Sequence, residues 1–549
     1  MLAQARRSSL PSRVQRAGRA LLGLAMLLSL AWVRSEPARA ELVKQKGISY
    51  AAWWSGQYSQ PEADQSLQLL ASTGANWISL IVTGHQQSPS ATSIDVHDVS
   101  TPTDADLQHA ILQAHSLGMK VMLKPHVDLP NERETGIWRG YIGTGFGSEA
   151  QWSRWFAAYR GFIEHYARLA QDTGADQFCV GTELLGTTQR EADWRAVIAG
   201  VRAIYHGPLV YAALHGGEET SIAWWDAVDL IGIDAYYSLT DANWVESDSD
   251  LSVSELKARW SGPIQTLATL SSRFGKPIVL TEIGYRSHHG CTSHPWDSWE
   301  VSDLDLQEQA NAYQAAFESL YNQPWLAGMF WWTWYPDRFQ SGACDDSFTP
   351  HQKPAEDVLR LWYGGAPRSQ APVLVPDYAR AMDIYSDSLA TGWEDWSWNA
   401  TVHMAAVDRV HAGTRSISVT LGAWGALSLR RPSIASGSYR WLEFYVRGAS
   451  AQEPMLKVFF HAADDRELLH VPVNDCRHIE NGTIEADGWK LVRIPLEDLN
   501  PMGADVARLN IQDASGEAGS QLWIDDIRLV AGQPASARVF LPLVVRAQR

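Results

Sequence analysis

The spacing of apolar runs is the strongest constraint on what this chain can fold into. Between residue 46 and residue 334, eight short runs alternate with amphipathic stretches. The runs are KGISYAAW (46–53), WISLIVTG (77–84), KVMLKPHVDL (120–129), QFCVGTEL (177–184), GPLVYAALH (207–215), LIGIDAYY (230–237), PIVLTEIGY (277–285) and LAGMFWWTW (326–334). All are rich in β-branched or aromatic residues, as expected of strands covered on both faces. Between them, PEADQSLQLLASTGA opens with Pro61 and acids in its first turn, a helix-start signature, and TDADLQHAILQAHSLGM also has a helical pattern. Eight strand–helix units in succession predict a (β/α)8 barrel. A doubly wound open sheet is disfavoured because no Gly-rich phosphate loop follows any run.

In such a barrel, functional side chains sit at the carboxyl ends of the strands. The polar residues of these runs collect there: His85, His126 and Asp128, Glu183, His215, Tyr236 and Tyr237, Glu282 and Trp332. Two of them are lone glutamates after apolar runs, Glu183 on strand 4 and Glu282 on strand 7. Strands 4 and 7 lie across the barrel mouth from one another, so the two carboxyls can converge. Each glutamate alone has a bland alternative, a strand-end salt bridge to a Lys or Arg; for the two together that explanation weakens sharply. A paired acid and base is what glycoside hydrolysis needs. One carboxyl stays protonated to donate to the leaving oxygen, and the other is ionised to attack the anomeric carbon. A separation of about 5–5.5 Å suits retention and about 6.5–9.5 Å suits inversion.

The first 40 residues stand apart. Arginines 6, 7, 13, 16 and 19 precede the apolar run ALLGLAMLLSLAWV, and ARA ends at Ala40. That order is the anatomy of a secretory signal peptide, and the run is short for a membrane span of about 20 residues. Cleavage would remove seven arginines and one glutamate from 45 basic and 62 acidic residues, leaving a net charge of −23. A chain that acidic repels phosphate backbones, which excludes nucleic acid as a natural partner. No second long apolar run follows, so the expectation is a secreted monomer with no membrane association after cleavage. An exported chain meets an oxidising compartment. Cys291 and Cys344 lie in polar, turn-rich segments after strands 7 and 8, adjacent on the barrel rim, and are expected to form a disulfide. Cys179 reads as a buried thiol and Cys476 stands alone. The 26 tryptophans suit core packing and also a protein that stacks rings on sugar faces.

The motifs GTELLGTT, LIGIDAYYSL, IVLTEIGY and FWWTWYPD, in this order and strand placement, resemble glycoside hydrolase family 113 over residues 45–363. The resemblance implies a retaining (β/α)8 glycosidase centred on endo-β-1,4-mannan hydrolysis. It makes Glu183 the acid/base and Glu282 the nucleophile. It also implies that Tyr236 or Tyr237 hydrogen-bonds the nucleophile and that Trp332 floors the −1 sugar subsite. The wider clan commonly has Asn before its acid/base, where this chain has Thr182. Recognition of the sugar 2-hydroxyl must then come partly from elsewhere, with His126 and His85 as candidates. Trp138 and Arg139 fall in the long third loop, suited to a distal subsite. Asp234 is read as a structural partner of another barrel residue. Polysaccharide is the implied partner, no cofactor is required, and xylan or β-glucan are the alternative substrates. A non-catalytic sugar-binding barrel is the alternative of another class; it predicts loss of one carboxylate, and both are present.

The barrel is read as residues 41–365, followed by a Pro-rich linker at 366–379. From 380 to 533 short alternating runs such as TRSISVTLG, YRWLEFYVRG and LWIDDIRLV predict a β-sandwich of jelly-roll type, like many carbohydrate-binding modules. Trp393, Trp396 and Trp398 are divided between core packing and glycan stacking. Asp525 and Asp526, with acids near Asp387, are candidate ligands for a structural calcium ion. Residues 534–549 form a tail too short for a domain.

Overall fold

A computed structural model describes residues 44–96, 99–240, 251–368, 374–449, 454–486 and 488–534. The expected signal peptide, part of the linker and nearly all of the tail lie outside the described residues.

Eight parallel strands close into a barrel in sequence order, with the first paired to the eighth. They are β1 (Gln45–Tyr50), β2 (Trp77–His85), β3 (Lys120–Asp128), β4 (Gln177–Thr182), β5 (Leu209–Leu214), β6 (Leu230–Asp234), β7 (Ile278–Ile283) and β8 (Leu326–Trp334). The helices between them begin where local chemistry dictates. Pro61 heads the helix Pro61–Ser72, using a position whose N–H would go unsatisfied. Thr103 and Asp106 form a reciprocal capping box on the helix Asp104–Ser116.

The floor of the barrel is a compact plug of Trp77, Met122, Cys179, Val210, Ala212, Val279, Ala327 and Phe330. Gly47 leaves room for it, since a Cβ there would lie 2.3 Å from the Phe330 ring. The opposite strand faces, Val121, Leu123, Phe178, Val180, Ile231 and Ile233 among them, pack outward against the helices. Above the plug the interior turns polar, with Lys124, His126 and Asp234 buried.

Two strands carry an extra residue near their carboxyl ends. Cys179 and Thr182 on β4 face Val210 and Ala212 on β5, three steps against two. On β7, Leu280 and Ile283 face Met329 and Trp331 on β8 in the same ratio. Such β-bulges shift the in–out phase and re-aim the side chains that follow. Glu183 and Glu282 each sit at one.

Ten antiparallel strands between Leu374 and Pro534 form the second domain, seven joined in one continuous hydrogen-bonded path and three pairing onto it from the side. The long strand Ser416–Ile434 explains that continuity. Its first half pairs with Ser520–Ile524, and its second half leaves to pair with Val506–Gln512. The fold thus closes over one apolar core, in which Trp393 is buried.

The barrel loop after β8 reaches into this core: Phe339 is buried among its residues. Arg477 donates to the Phe339 carbonyl (2.7 Å) and to Ser341 Oγ (3.1 Å), and Arg338 donates to the Asp498 carbonyl (2.6 Å). The disulfide is here too, and it corrects the expected pairing. Cys344 bonds Cys476, with Cα atoms 6.2 Å apart, while Cys291 is a buried thiol packed in the barrel's outer core. Rim adjacency pointed to Cys291, but the β8 loop turns outward to the second domain. Asp525 accepts from the amides of His411 (3.0 Å), Ala412 (3.3 Å) and Asp526 (2.9 Å). Asp526 meets His411 Nδ1 at 2.8 Å, and Asp387 accepts from the amides of Thr414 and Arg415.

Candidate active site

The barrel mouth gathers four carboxylates around two cations. Lys124, fully buried in β3, lies 3.1 Å from each oxygen of Asp234 and donates a short hydrogen bond to Glu282 Oε1. Thr281 Oγ1 donates to Asp234 Oδ1 at 2.7 Å. Arg139, from the third loop, holds Asp128 at 2.6 Å and reaches Glu183 Oε2 at 3.5 Å. Both glutamates therefore have the salt-bridge partners of the bland explanation, yet those partners join them into one site.

The two glutamates differ in what surrounds them. Glu282 accepts from the Lys124 ammonium on one oxygen and from the Tyr236 hydroxyl on the other, at 2.7 Å. Glu183 has only the longer contact to Arg139 among described ion pairs. Burial pushes its carboxyl well above the ordinary glutamate range. The negative charges of Asp234 and Glu282 push the same way, while Arg139 and Lys124 only partly oppose them. Burial and the charge of Glu282 lift Asp234 to about 6, opposed by Lys124 and the Thr281 hydroxyl. Burial disfavours the charge on Lys124, but Asp234 and Glu282 outweigh it and hold the ammonium above the usual lysine value. At neutral pH the Lys124–Asp234 pair is thus ionised, while the surroundings of Glu183 favour its protonated form. Its backbone is unusual as well, with φ 51°. A non-glycine residue in that region costs about 1–3 kcal/mol and persists where its surroundings over-determine it.

Tyr236 and Tyr237, inseparable in sequence, part company here. Tyr236 faces the barrel centre and Glu282, whereas the Tyr237 hydroxyl lies 3.4 Å from Glu219 in the loop after β5. Trp332 is half-buried, nearly parallel to the His126 ring (13°, centroids 6.3 Å) and tilted against Trp53 at 6.1 Å. His126 Nε2 lies 3.7 Å from Glu282 Oε1, and neither ring nitrogen meets a hydrogen-bonding protein group. Burial, with Arg139 and Lys124 nearby, pushes its pKa well below the ordinary histidine value, so the ring is neutral. A neutral imidazole whose buried nitrogens lack a protein partner, beside an indole face, is a candidate contact for a sugar hydroxyl.

The remaining candidates fall outside this centre. His85 turns to Ser100 Oγ at 2.9 Å, and the Thr182 hydroxyl points down to the Cys179 sulfur at 3.8 Å. Trp138, half-buried, packs edge-on to Tyr141 in the third loop. His215 bonds the Asp234 carbonyl and packs on Tyr237 and Trp296; burial drops its pKa to about 4. Lys124 and Trp53 were missed as site residues. Lys124 carried one available signal, a lysine inside an otherwise apolar strand, in phase with Met122 below and His126 above. Around the mouth, loops present exposed rings: Trp54, Tyr141, Trp296 and Trp299, the last beneath Arg133 at 5.4 Å.

Comparison with known proteins places this geometry. The model of Glycoside Hydrolase Family 113 matches residues 49–353. A solved β-1,4-mannanase of that family is 27% identical, covering 59% of this chain and 99% of its own, with a TM-score of 0.52. A β-mannanase of the family from Alicyclobacillus acidocaldarius is 31% identical, covering 58% of this chain and 97% of its own, with a TM-score of 0.51. An endoglucanase of Dictyostelium discoideum is 27% identical over 150 residues, 27% of this chain and 21% of that protein's length. With its family model matched across the whole barrel mouth, the chain belongs to glycoside hydrolase family 113 and is a glycoside hydrolase.

Proposed function

We propose that the protein is a secreted endo-β-1,4-mannanase that works with retention of configuration. The observation that carries the mechanism is the asymmetry of the two glutamates. Glu282, gripped by Lys124 and Tyr236, attacks the anomeric carbon. Glu183, holding its proton through burial and neighbouring negative charge, donates to the departing glycosidic oxygen. The covalent glycosyl–enzyme is then opened by water that Glu183, now ionised, deprotonates. Once Glu183 has given up its proton, Arg139 at 3.5 Å supports its negative charge. Trp332 supplies the apolar floor under the reacting sugar, and His126 a hydroxyl contact.

Mannan is favoured because both solved relatives quoted above are β-mannanases that match nearly end to end. The endoglucanase match supports β-glucan as a second reading. Reducing-sugar release measured on mannan, glucomannan, xylan and β-glucan separates them. Activity confined to β-glucan or xylan would sink the mannan reading and leave the mechanism standing. Export is supported by the leader's composition and by a disulfide between the domains.

The second domain is proposed to hold the same polysaccharide. Trp396 and Trp424 are both half-exposed there, and Arg430 stacks on Trp396 at 4.3 Å. Trp424 rides on a bulge with φ 58°. Its carbonyl accepts from Trp398 Nε1 and Gln512 Nε2, and its amide donates to Asp513. Exposed indoles fixed in this way suit stacking on flat sugar faces.

A further inference from the structure

The direction of the Glu183 side chain is set by the chain turning at Glu183 and Leu184, where β4 ends with φ 51°. Two hydrogen bonds hold that turn against β5. The Glu183 amide donates to the Ala212 carbonyl at 2.8 Å, and the Leu184 amide donates to the Tyr211 hydroxyl at 3.0 Å. That hydroxyl has one proton, which goes to Glu218 Oε1 at 2.6 Å, leaving its lone pair for Leu184. Glu218 is itself fixed, since its Oε2 accepts from the Leu214 amide at 2.7 Å. Tyr211 and Glu218 are both buried, so water cannot replace either bond.

The pair lies on the helix side of the sheet, away from the mouth. The Tyr211 ring packs edge-on to Trp194 (5.2 Å) and Trp224 (5.0 Å). It reaches β4 because residue 181 is glycine: a Cβ there would sit 2.8 Å from the Tyr211 ring and 2.8 Å from Trp194. Gly181 is also inside the β4 bulge. Bulge, glycine and tyrosine thus form one device behind the carboxyl.

We propose that Tyr211 and Glu218 are positioning residues that aim the acid/base carboxyl of Glu183 by fixing the backbone turn beneath it. The proposal rests on reading Glu183 as the acid/base of a glycosidase. It separates the requirement for an acid from the requirement for its placement: a polysaccharide leaving group must be protonated as it departs, and a dinitrophenolate need not be.

The test compares Tyr211→Phe with the parent enzyme, measuring kcat and kcat/KM on mannan and on a dinitrophenyl β-glycoside of the preferred sugar. Phenylalanine keeps the ring packing, and a thermal melt checks the fold. Expected are a roughly tenfold loss of kcat/KM on mannan with KM unchanged, and less than about a twofold loss of kcat/KM on the aryl glycoside, whose glycosylation step needs no acid. Glu218→Ala, which removes the acceptor of both the Tyr211 hydroxyl and the Leu214 amide, should lose mannan activity at least as far as Tyr211→Phe, with kcat/KM on the aryl glycoside again spared. Equal losses on both substrates, or none on mannan, would overturn the proposal. A parent enzyme inactive on every glycan would instead overturn the reading of Glu183 on which it stands.

Discussion

Lys124→Met is the most informative single substitution away from the glutamates. The ammonium is completely buried and lies between Asp234, 3.1 Å away on both oxygens, and Glu282. Methionine approximates its length, so the change leaves two buried carboxylates facing each other with no cation between them. Removing one partner of a buried ion pair typically costs about 3–5 kcal/mol. With about 2.1 cal/mol/K of unfolding entropy per residue, for a barrel of this size that corresponds to a fall in Tm of roughly 4–7 °C at neutral pH. The damage should depend on pH in a definite sense. Asp234 already has a folded-state pKa of about 6, above its unfolded value, so the folded protein binds that proton more tightly. Its protonation therefore favours the fold as pH falls through about 6, and that contribution is lost as pH rises. In the variant the deficit should be largest above neutrality and shrink toward pH 5, where one carboxyl is neutral. Glu282 would share a proton with Asp234 and kcat should drop by at least about 100-fold. Differential scanning calorimetry from pH 5 to 8, with kcat measured alongside, reads both effects. A Tm unchanged at neutral pH together with kcat within threefold of the parent would refute the reasoning.

Tyr236→Phe removes the 2.7 Å bond to Glu282; hydrogen bonds to charged groups are worth about 1.5–3 kcal/mol, so kcat should fall roughly 10- to 100-fold. Tyr237→Phe, the control, should leave kcat within about twofold. Arg139→Met removes a cation that lowers the Glu183 pKa, so the alkaline limb of the pH–rate profile, where the acid is lost, should move to higher pH; an unmoved limb would count against Glu183 as the acid. Cys476→Ser opens a covalent link spanning 132 residues of sequence and should cost about 2–5 kcal/mol in calorimetry while sparing hydrolysis of short oligosaccharides. Trp424→Ala should weaken retardation in mannan-containing native gels with kcat on short oligosaccharides unchanged; equal retardation would remove this tryptophan from sugar binding.

The barrel was legible because each strand is buried on both faces and announces itself as an apolar run. The same logic exposed Glu183 and Glu282, which interrupt or end such runs. Finer placement was hidden by the two bulges. Alternation along β4 and β7 breaks one residue before the side chains that matter, so in–out phase could not be carried through to the strand ends. Tyr236 and Tyr237 were inseparable because the chain leaves β6 at Asp234 before reaching them. Lys124 was passed over since a lysine in a strand ordinarily marks an exposed edge; its burial depends on Asp234 and Glu282, which are 110 and 158 residues away in sequence. The disulfide was misassigned for a similar reason. Nothing in the local pattern around Cys476 tells that the second domain docks on the β8 loop.

The central claim is that Glu282 forms a bond to the sugar while Glu183 handles the proton. A fluorinated sugar inactivator with a dinitrophenyl leaving group, followed by peptide mapping of the labelled enzyme by mass spectrometry, tests it most directly. The account predicts a single covalent adduct on the peptide containing Glu282, formed as activity is lost. Labelling of Glu183 instead, or hydrolysis that yields the inverted anomer with no adduct, would contradict it.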